Sequence, residues 1–323
     1  MTARRHRANP APTPPTYGVT VTTPDAGALD VPTPDAVAER LASTGYLTDP
    51  DLATVVFLAL RLQRPVLLEG EPGTGKTALA EALAQSFGLP LVRLQCYEGI
   101  DATQALYDWD FPRQILHLRA LEAAGAVRGE QSVADAEKSL YDERFLLARP
   151  VLAALQQSPA VLLVDEVDRA DDEFEAFLLE VLSTYQVSIP ELGTVAAATP
   201  PLVVLTSNRT RELHDALKRR CLYHWIDHPG LEREVAIVRS RAPEVSETLA
   251  RQVVGVVQGL RDDALSLEKP PGVAETLDWA RALQQLGATE LDLEVGARTL
   301  GALVKYREDG EKVRHALDQV LRS

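Results

Sequence analysis

Residues 66–84 read VLLEGEPGTGKTALAEALA. An apolar run ends at Gly70, a loop carrying Gly73 and Gly75 follows, and Lys76 and Thr77 open an alanine-rich segment. A short apolar run closed by glycine reads as a buried strand, and the segment after it as a helix. The loop between them suits a phosphate chain. Its glycines let backbone N–H groups turn inward as an anion nest that no side chain obstructs. Lys76 places a point charge near the β- and γ-phosphates, Thr77 offers a hydroxyl to Mg²⁺, and the helix start adds partial positive charge. Gly70, Gly75, Lys76 and Thr77 fit the G-x-x-x-x-G-K-[ST] pattern. The candidate nucleotide-binding residues are therefore Gly70, Glu71, Pro72, Gly73, Thr74, Gly75, Lys76, Thr77 and Ala78. By composition alone such a pattern turns up on the order of once in a hundred chains of this length, so a second signal is needed.

That signal is VLLVDEVD at 161–168. A hydrophobic strand delivers Asp165 and Glu166 at its C-terminal end, where parallel sheets bind ligands. Asp165 is the candidate Mg²⁺ residue alongside Thr77, and Glu166 the candidate base that orients and deprotonates a water. Two acids capping the next helix is the bland alternative, and the loop at 70–77 weighs against it. A third apolar run, VVLTSN at 203–208, ends in Asn208, whose amide suits a γ-phosphate sensor; alone it would read as a turn residue.

The 323 residues are 46% hydrophobic, enough for a substantial core in one large or two ordinary domains. No window of about 18 consecutive apolar residues exists, so no membrane span is expected. The N-terminus lacks the apolar region of a secretory signal. Two cysteines, Cys96 and Cys221, make no disulfide framework, and a cytoplasmic location is the simplest expectation. The net charge of −14 opposes bulk nucleic-acid binding, which needs clustered Lys and Arg. No His or Cys spacing suggests zinc.

Residues 1–36 are rich in Pro, Thr and Ala and are read as a disordered or extended tail. Residues 37–230 alternate strands with helices, each strand an almost unbroken apolar run, which predicts an α/β domain with a parallel sheet covered on both faces. One helix is expected over 210–221. Residues 231–323 carry helical patterns with almost no strand signal and are read as a separate helical domain. Between Lys76 and Asp165 lie 88 residues, more than two βα units of about 30 residues each require. Inserts are expected near 97–150 and 186–200. Within the first, Tyr97, Trp109 and Phe111 have core packing as their default role and exposed gripping as the alternative.

With GEPGTGKTALA, LLVDEVDRAD, LEVLSTYQVSIPELG, PPLVVLTSNRTRELHDALKRRCLYHWIDHP and PPGVAETLDWARAL in view, the chain resembles the AAA+ ATPases. More narrowly it resembles the MoxR family, in the branch that accompanies carbon monoxide dehydrogenase-type metalloenzymes. The resemblance covers roughly residues 38–320. It implies an AAA+ P-loop NTPase fold with a five-stranded parallel sheet of order 5-1-4-3-2 and a C-terminal helical lid. It implies an ATPase using ATP and Mg²⁺, assembled as a homo-oligomeric ring, usually a hexamer, with nucleotide between subunits. In such rings a cation from one subunit reaches the neighbour's γ-phosphate. Arg220 best matches that finger position, with Arg219 and Lys218 as rivals. A guanidinium fork there stabilises charge developing on the transferred phosphoryl group. The resemblance also implies that the first insert interrupts a helix and that the second forms a hairpin. At the lid, many AAA+ ATPases present an arginine in a short Pro-Arg motif; here Gly272 and Val273 stand in that region, Lys269, Glu275 and Arg281 are the residues to weigh, and none is assigned.

These readings favour an ATP-driven chaperone that remodels or matures a protein client. The resemblance implies a metalloenzyme client and an adaptor with a von Willebrand factor A domain. A nucleic-acid motor and a nucleotide-gated scaffold with little turnover are the alternatives. The acidic charge opposes the first, and Glu166 with Arg220 opposes the second.

Overall fold

The computed structural model describes residues 29–125, 130–261 and 267–320. The tail reading of 1–36 falls, for residues 1–28, outside the described residues. Its last part differs from the expectation. Val31 is buried against the core, Thr33 accepts from the Ala36 N–H, and helix α1 (Pro34–Ser43) starts there. Helix α2 (Pro50–Leu62) begins at Asp49, whose carboxylate accepts from the Leu52 N–H at 2.7 Å. Both helices place Pro in the first turn, where its missing N–H costs nothing.

Strand β1 (Val66–Gly70) and helix α3 (Lys76–Phe87) follow, then β2 (Leu91–Gln95). The next stretch is a helix split in two, α4 (Ala102–Leu106) and α7 (Pro150–Gln156). Between the halves lie β3 (Tyr107–Trp109), α5 (Phe111–Ala123), α6 (Glu130–Leu140) and β4 (Leu146–Ala148). Strands β3 and β4 pair antiparallel and bring the two halves back together. Strand β5 (Val161–Asp165) and helix α8 (Asp172–Thr184) precede a hairpin, β6 (Gln186–Ile189) and β7 (Gly193–Ala196). Then come β8 (Leu202–Ser207), α9 (Asp215–Arg220) and β9 (Leu222–Ile226).

The main sheet runs β2-β5-β8-β1-β9, with every pairing parallel. These labels differ from the expected 5-1-4-3-2 because the four strands of two small antiparallel pairs enter the count. The five parallel strands alone run 2-3-4-1-5, which is the expected series read from the opposite edge. Successive side chains on a strand point to opposite faces. Val66, Leu68, Val161, Leu163, Leu202 and Val204 accordingly pack with α1, α2 and α3. Leu67, Leu162, Val164, Val203 and Leu205 pack on the other face with α7, α8 and α9. Two covered faces explain why the central strands read as unbroken apolar runs.

The helix expected over 210–221 is shorter. Thr210 binds the Asp168 carboxylate through both its N–H and its hydroxyl, at 2.8 Å each, and the His214 N–H donates to Glu175 at 2.8 Å. Side-chain acceptors take the N–H groups of this segment, and the helix starts only at Asp215.

Beyond β9 lie α10 (Leu231–Arg241), α11 (Glu247–Arg261), α12 (Val273–Gln285), α13 (Leu293–Leu303) and α14 (Arg307–Val320). They share a core of their own around Trp279, Leu283 and Val257. Fully buried Glu234 of α10 ties α10, α11 and α12 together. It accepts two hydrogen bonds from Arg261 at 2.7 and 2.8 Å, and others from Thr276 at 2.8 Å and Gln258 at 3.2 Å. A buried carboxylate so completely paired is tolerated; an unpaired one is not.

Candidate functional site

The candidate phosphate loop leaves β1 at Gly70 and enters α3 at Lys76. Two of its glycines are required by close approach. A Cβ on Gly70 would sit 2.4 Å from the Ile226 carbonyl oxygen. Gly73, at φ +80°, faces Gly272, and a Cβ on Gly272 would lie 2.7 Å from the Gly73 Cα. The Val273 N–H donates to the Gly73 carbonyl at 2.9 Å, so the start of α12 rests directly on the loop. Lys76 is 6% exposed and donates to the carbonyls of Gly70 at 2.8 Å and Glu71 at 2.7 Å. Burial pushes its ammonium down to about 8, against the opposing pull of Asp168, Asp165, Glu166 and Glu71.

Asp165 ends β5 with its carboxylate buried. Its Oδ1 accepts from Thr77 Oγ1 at 3.0 Å and Thr206 Oγ1 at 2.6 Å, and its Oδ2 from Arg93 at 2.6 Å. Glu166 stands next, at φ +54°, a strained backbone for a residue with a side chain. The Thr206 hydroxyl also accepts the Glu166 N–H at 2.9 Å and so holds that backbone in place. The Glu166 carboxylate meets Gln95 at 3.2 Å, Arg169 at 3.1 Å and the Asn208 amide at 3.5 Å.

The structure therefore brings Lys76, Thr77, Asp165, Glu166 and Asn208 to one end of the parallel sheet, in a cleft of about 440 Å³. That volume suits a small-molecule site. Pro72, Gly73, Thr74, Gly75 and Ala78 line it as well. Glu71 does not point into it; its carboxylate turns to His228 at 3.1 Å. Gly70 underlies the loop rather than lining the cleft. Away from the acids, the wall is made by Tyr46 and Leu47 on one side and by Ile237, Val273 and Leu277 on the other. Among the described residues no group of three His, Cys, Asp or Glu side chains gathers around a point. Thr77 and Asp165 still fit Mg²⁺: both offer hard oxygen donors, and that ion takes few protein ligands when phosphates and water complete its shell.

Arg220 lies elsewhere. It is exposed at the end of α9 and donates to Ser183 Oγ. Lys218 is engaged with Glu212 at 3.3 Å, whereas Arg219 and Arg220 pair with no carboxylate among the described residues. The expected lid substitutes divide. Arg281 turns to the Arg241 carbonyl at 2.7 Å, the Lys269 N–H binds Asp309 at 3.2 Å, and Glu275 accepts from the Gly272 N–H at 3.0 Å beside the loop. Of the insert aromatics, Tyr97 and Phe111 are exposed, and Trp109 stacks edge-on against Tyr107 and Tyr141.

Three residues of the site were not singled out from the sequence: Thr206, Arg93 and Gln95. Thr206 lies inside an apolar run that reads as core. Arg93 and Gln95 alternate on β2, an edge strand, and Gln95 pairs in register with Asp165. The alternation of polar residues was the available signal.

Residues 65–221 match the family model described as AAA domain (dynein-related subfamily). Midasin of Giardia intestinalis is 36% identical over 119 residues, which is 33% of this chain and 2% of that protein. An uncharacterized protein of Staphylococcus epidermidis, SERP0979, is 24% identical over 72% of this chain and 81% of its own length. The ATP-dependent zinc metalloprotease FtsH of Methylococcus capsulatus is 26% identical over 65% of this chain and 28% of that protein. Among solved structures, the Thermotoga maritima RuvB Holliday junction branch migration motor aligns at 17% identity with a TM-score of 0.44, covering 88% of this chain and 75% of that one. No helix among the described residues is long and apolar enough to cross a membrane.

Proposed function

We propose, from the match of residues 65–221 to the AAA domain family, that this chain hydrolyses ATP at the seam between two of its copies and uses the cycle to remodel a protein client. One observation carries the hydrolytic reading: three segments far apart in sequence place Thr77, Asp165, Glu166 and Asn208 around one end of the sheet. The triphosphate lies along the loop from Pro72 to Ala78, with the base between the Tyr46–Leu47 wall and the lid. Lys76 exchanges its two carbonyl partners for phosphate oxygens, which restores the full charge that burial weakens. Thr77 and Asp165 would hold Mg²⁺, which would supply charge neutralisation for the phosphates. Glu166 takes the proton of the attacking water, and Asn208 orients that water and the γ-phosphate.

A second copy is needed because Arg220 sits at the wrong end of its own sheet. Val66 pairs with Leu222 and Gly70 with Ile226, so the α9 end lies beside the start of β1 and the phosphate loop beyond its end. A strand of this length separates the two by about 16 Å. Arg220, or Arg219 beside it, serves a neighbour's γ-phosphate, in a ring that we take to be a hexamer.

The client side rests on resemblance to the MoxR family: a metalloenzyme as client, an adaptor carrying a von Willebrand factor A domain, and a cytoplasmic setting. Glu166→Gln tests both halves. It binds ATP with wild-type affinity, turns over barely at all, and in ATP retains client and adaptor in a pull-down. Near-normal turnover in this variant removes Glu166 as the base. Loss of nucleotide binding places its role in folding instead.

A further inference from the structure

The end of α9 is held by an arginine that no ion pair explains. Arg64 Nε donates to the Arg220 carbonyl at 3.0 Å. Its Nη2 donates to the Arg219 carbonyl at 2.5 Å and reaches the Cys221 carbonyl at 3.4 Å. One guanidinium thus gathers three consecutive carbonyls, the groups a helix C-terminus leaves without partners. Helix α9 is six residues long, too short to hold its shape on intrinsic propensity.

A cation on these carbonyls is favoured by the partial negative charge of a helix C-terminus, and the arginine fork also fixes their geometry. Arg64 pairs with no carboxylate among the described residues, and it stands against the backbone of a helix end that already carries Lys218, Arg219 and Arg220. A fourth cation raises the repulsion there. The planar fork of arginine, unlike the point charge of lysine, can bind several carbonyls at once in fixed directions.

The mount behind it is rigid. The Arg64 N–H donates to the Ala59 carbonyl at the end of α2 at 3.2 Å, and the Leu222 N–H donates to Pro65 at 2.7 Å. Tyr185 Oη donates to the Gln63 carbonyl at 3.0 Å, and Gln63 closes α2 in the left-handed conformation. Ser183, the partner of the Arg220 side chain, lies two residues before Tyr185 in the same turn of chain. The start of β1, the end of α8 and the end of α9 therefore meet at Arg64.

We propose that Arg64 is a positioning residue for the Arg219–Arg220 pair: it clamps the end of α9 so that these side chains project in one direction, toward nucleotide held by the adjacent copy. The inference rests on the finger in trans proposed above. Displacement of such a group by about an ångström is worth on the order of a hundredfold in rate.

The test uses full-length chains carrying Arg64→Met, Arg64→Lys, Arg220→Ala and Lys76→Ala, alone and in equimolar mixtures. Arg64→Met is expected to lower kcat on the order of ten- to a hundredfold while a fluorescent ATP analogue binds within about twofold of wild type. Arg64→Lys, which keeps one donor, is expected to fall between the two and stands in where Arg64→Met does not fold. Lys76→Ala chains keep a sound finger and lack a working loop. Mixed with Arg64→Met they are expected to restore up to about a quarter of wild-type turnover, the share of heterologous interfaces that join a working loop to a working finger. Mixed with Arg220→Ala, the Arg64→Met chain is expected to restore nothing.

Unchanged kcat in both Arg64 variants overturns the proposal. So does a failure of Arg64→Met to be rescued by Lys76→Ala when Arg220→Ala is rescued by it, since Arg64 then acts on its own loop through β1. If Arg220→Ala is not rescued by Lys76→Ala either, the finger in trans is wrong and the proposal falls with it.

Discussion

Thr206 serves both acids of the cleft with one hydroxyl, donating to Asp165 and accepting from the backbone of Glu166. Valine at that position keeps the shape and removes both bonds. It leaves a buried carboxylate short of a donor and the strained Glu166 backbone without its tether, a loss of about 1–3 kcal/mol. Thr206→Val is therefore expected to lower kcat by about 5- to 150-fold with little change in ATP affinity, as steady-state turnover beside equilibrium binding will show. Lys76 gives a second prediction, with a definite sign. Free, its ammonium titrates near 8; phosphate oxygens raise that value, so binding takes up a proton once the pH exceeds about 8. ATP affinity measured by calorimetry should weaken as pH rises from 8 to 9. Flat affinity across that interval would mean that Lys76 stays charged in the free protein. Lys76, Thr77, Asp165, Glu166 and Asn208 were legible in sequence because each stands where an apolar run or a glycine loop ends. Thr206 and Arg93 were not, because a polar residue inside a strand declares its role only when neighbouring strands fix what it faces.

The elements show the same division. The alternation of Val66, Leu67 and Leu68 between two cores follows from strand geometry, and unbroken apolar runs announce it. Helix α9 was not legible at its start, because the acceptors that compete for its first N–H groups, Asp168 and Glu175, lie about 40 residues earlier in the chain. The contact of α12 with the phosphate loop was equally hidden. It depends on Gly73 meeting Gly272, two glycines that sequence alone cannot pair. Gly272→Ala forces backbone apart, since its Cβ would lie within 2.9 Å of the Gly73 carbonyl oxygen. The expected outcome is weaker nucleotide binding and faster proteolysis between β9 and α12, with the sheet intact by circular dichroism. Glu234→Ala leaves the largely buried Arg261 guanidinium with only the Pro271 carbonyl and the Thr276 hydroxyl and no counter-charge. Breaking a buried pair by removing one partner costs about 3–5 kcal/mol, so chemical denaturation should show the helical region unfolding at lower denaturant than wild type.

At the scale of the molecule, the fold places the cleft and the basic end of α9 at two opposite ends of one sheet. The phosphate loop, Asp165 and Glu166 stand at the C-terminal ends of the strands, and Arg219 with Arg220 at the N-terminal end of β9. No single chain closes that distance, so in the proposed mechanism a second copy completes the site. The net charge of −14 and the exposed Phe111, Ile115 and Leu116 on α5 are compatible with a protein client rather than a polyanion. Cys96 and Cys221 are both buried, and burial pushes each thiol up to about 12, so neither should react with a thiol reagent at neutral pH until the chain unfolds.

The most direct measurement of the central claim is ATP turnover per chain as the protein is diluted, with molecular mass followed by light scattering in the same samples. The account predicts that turnover per chain falls in step with the loss of assembled mass, while a fluorescent ATP analogue still binds the dissociated chain. Constant turnover per chain down to the monomer would contradict it, because a single copy would then hold every group that hydrolysis requires.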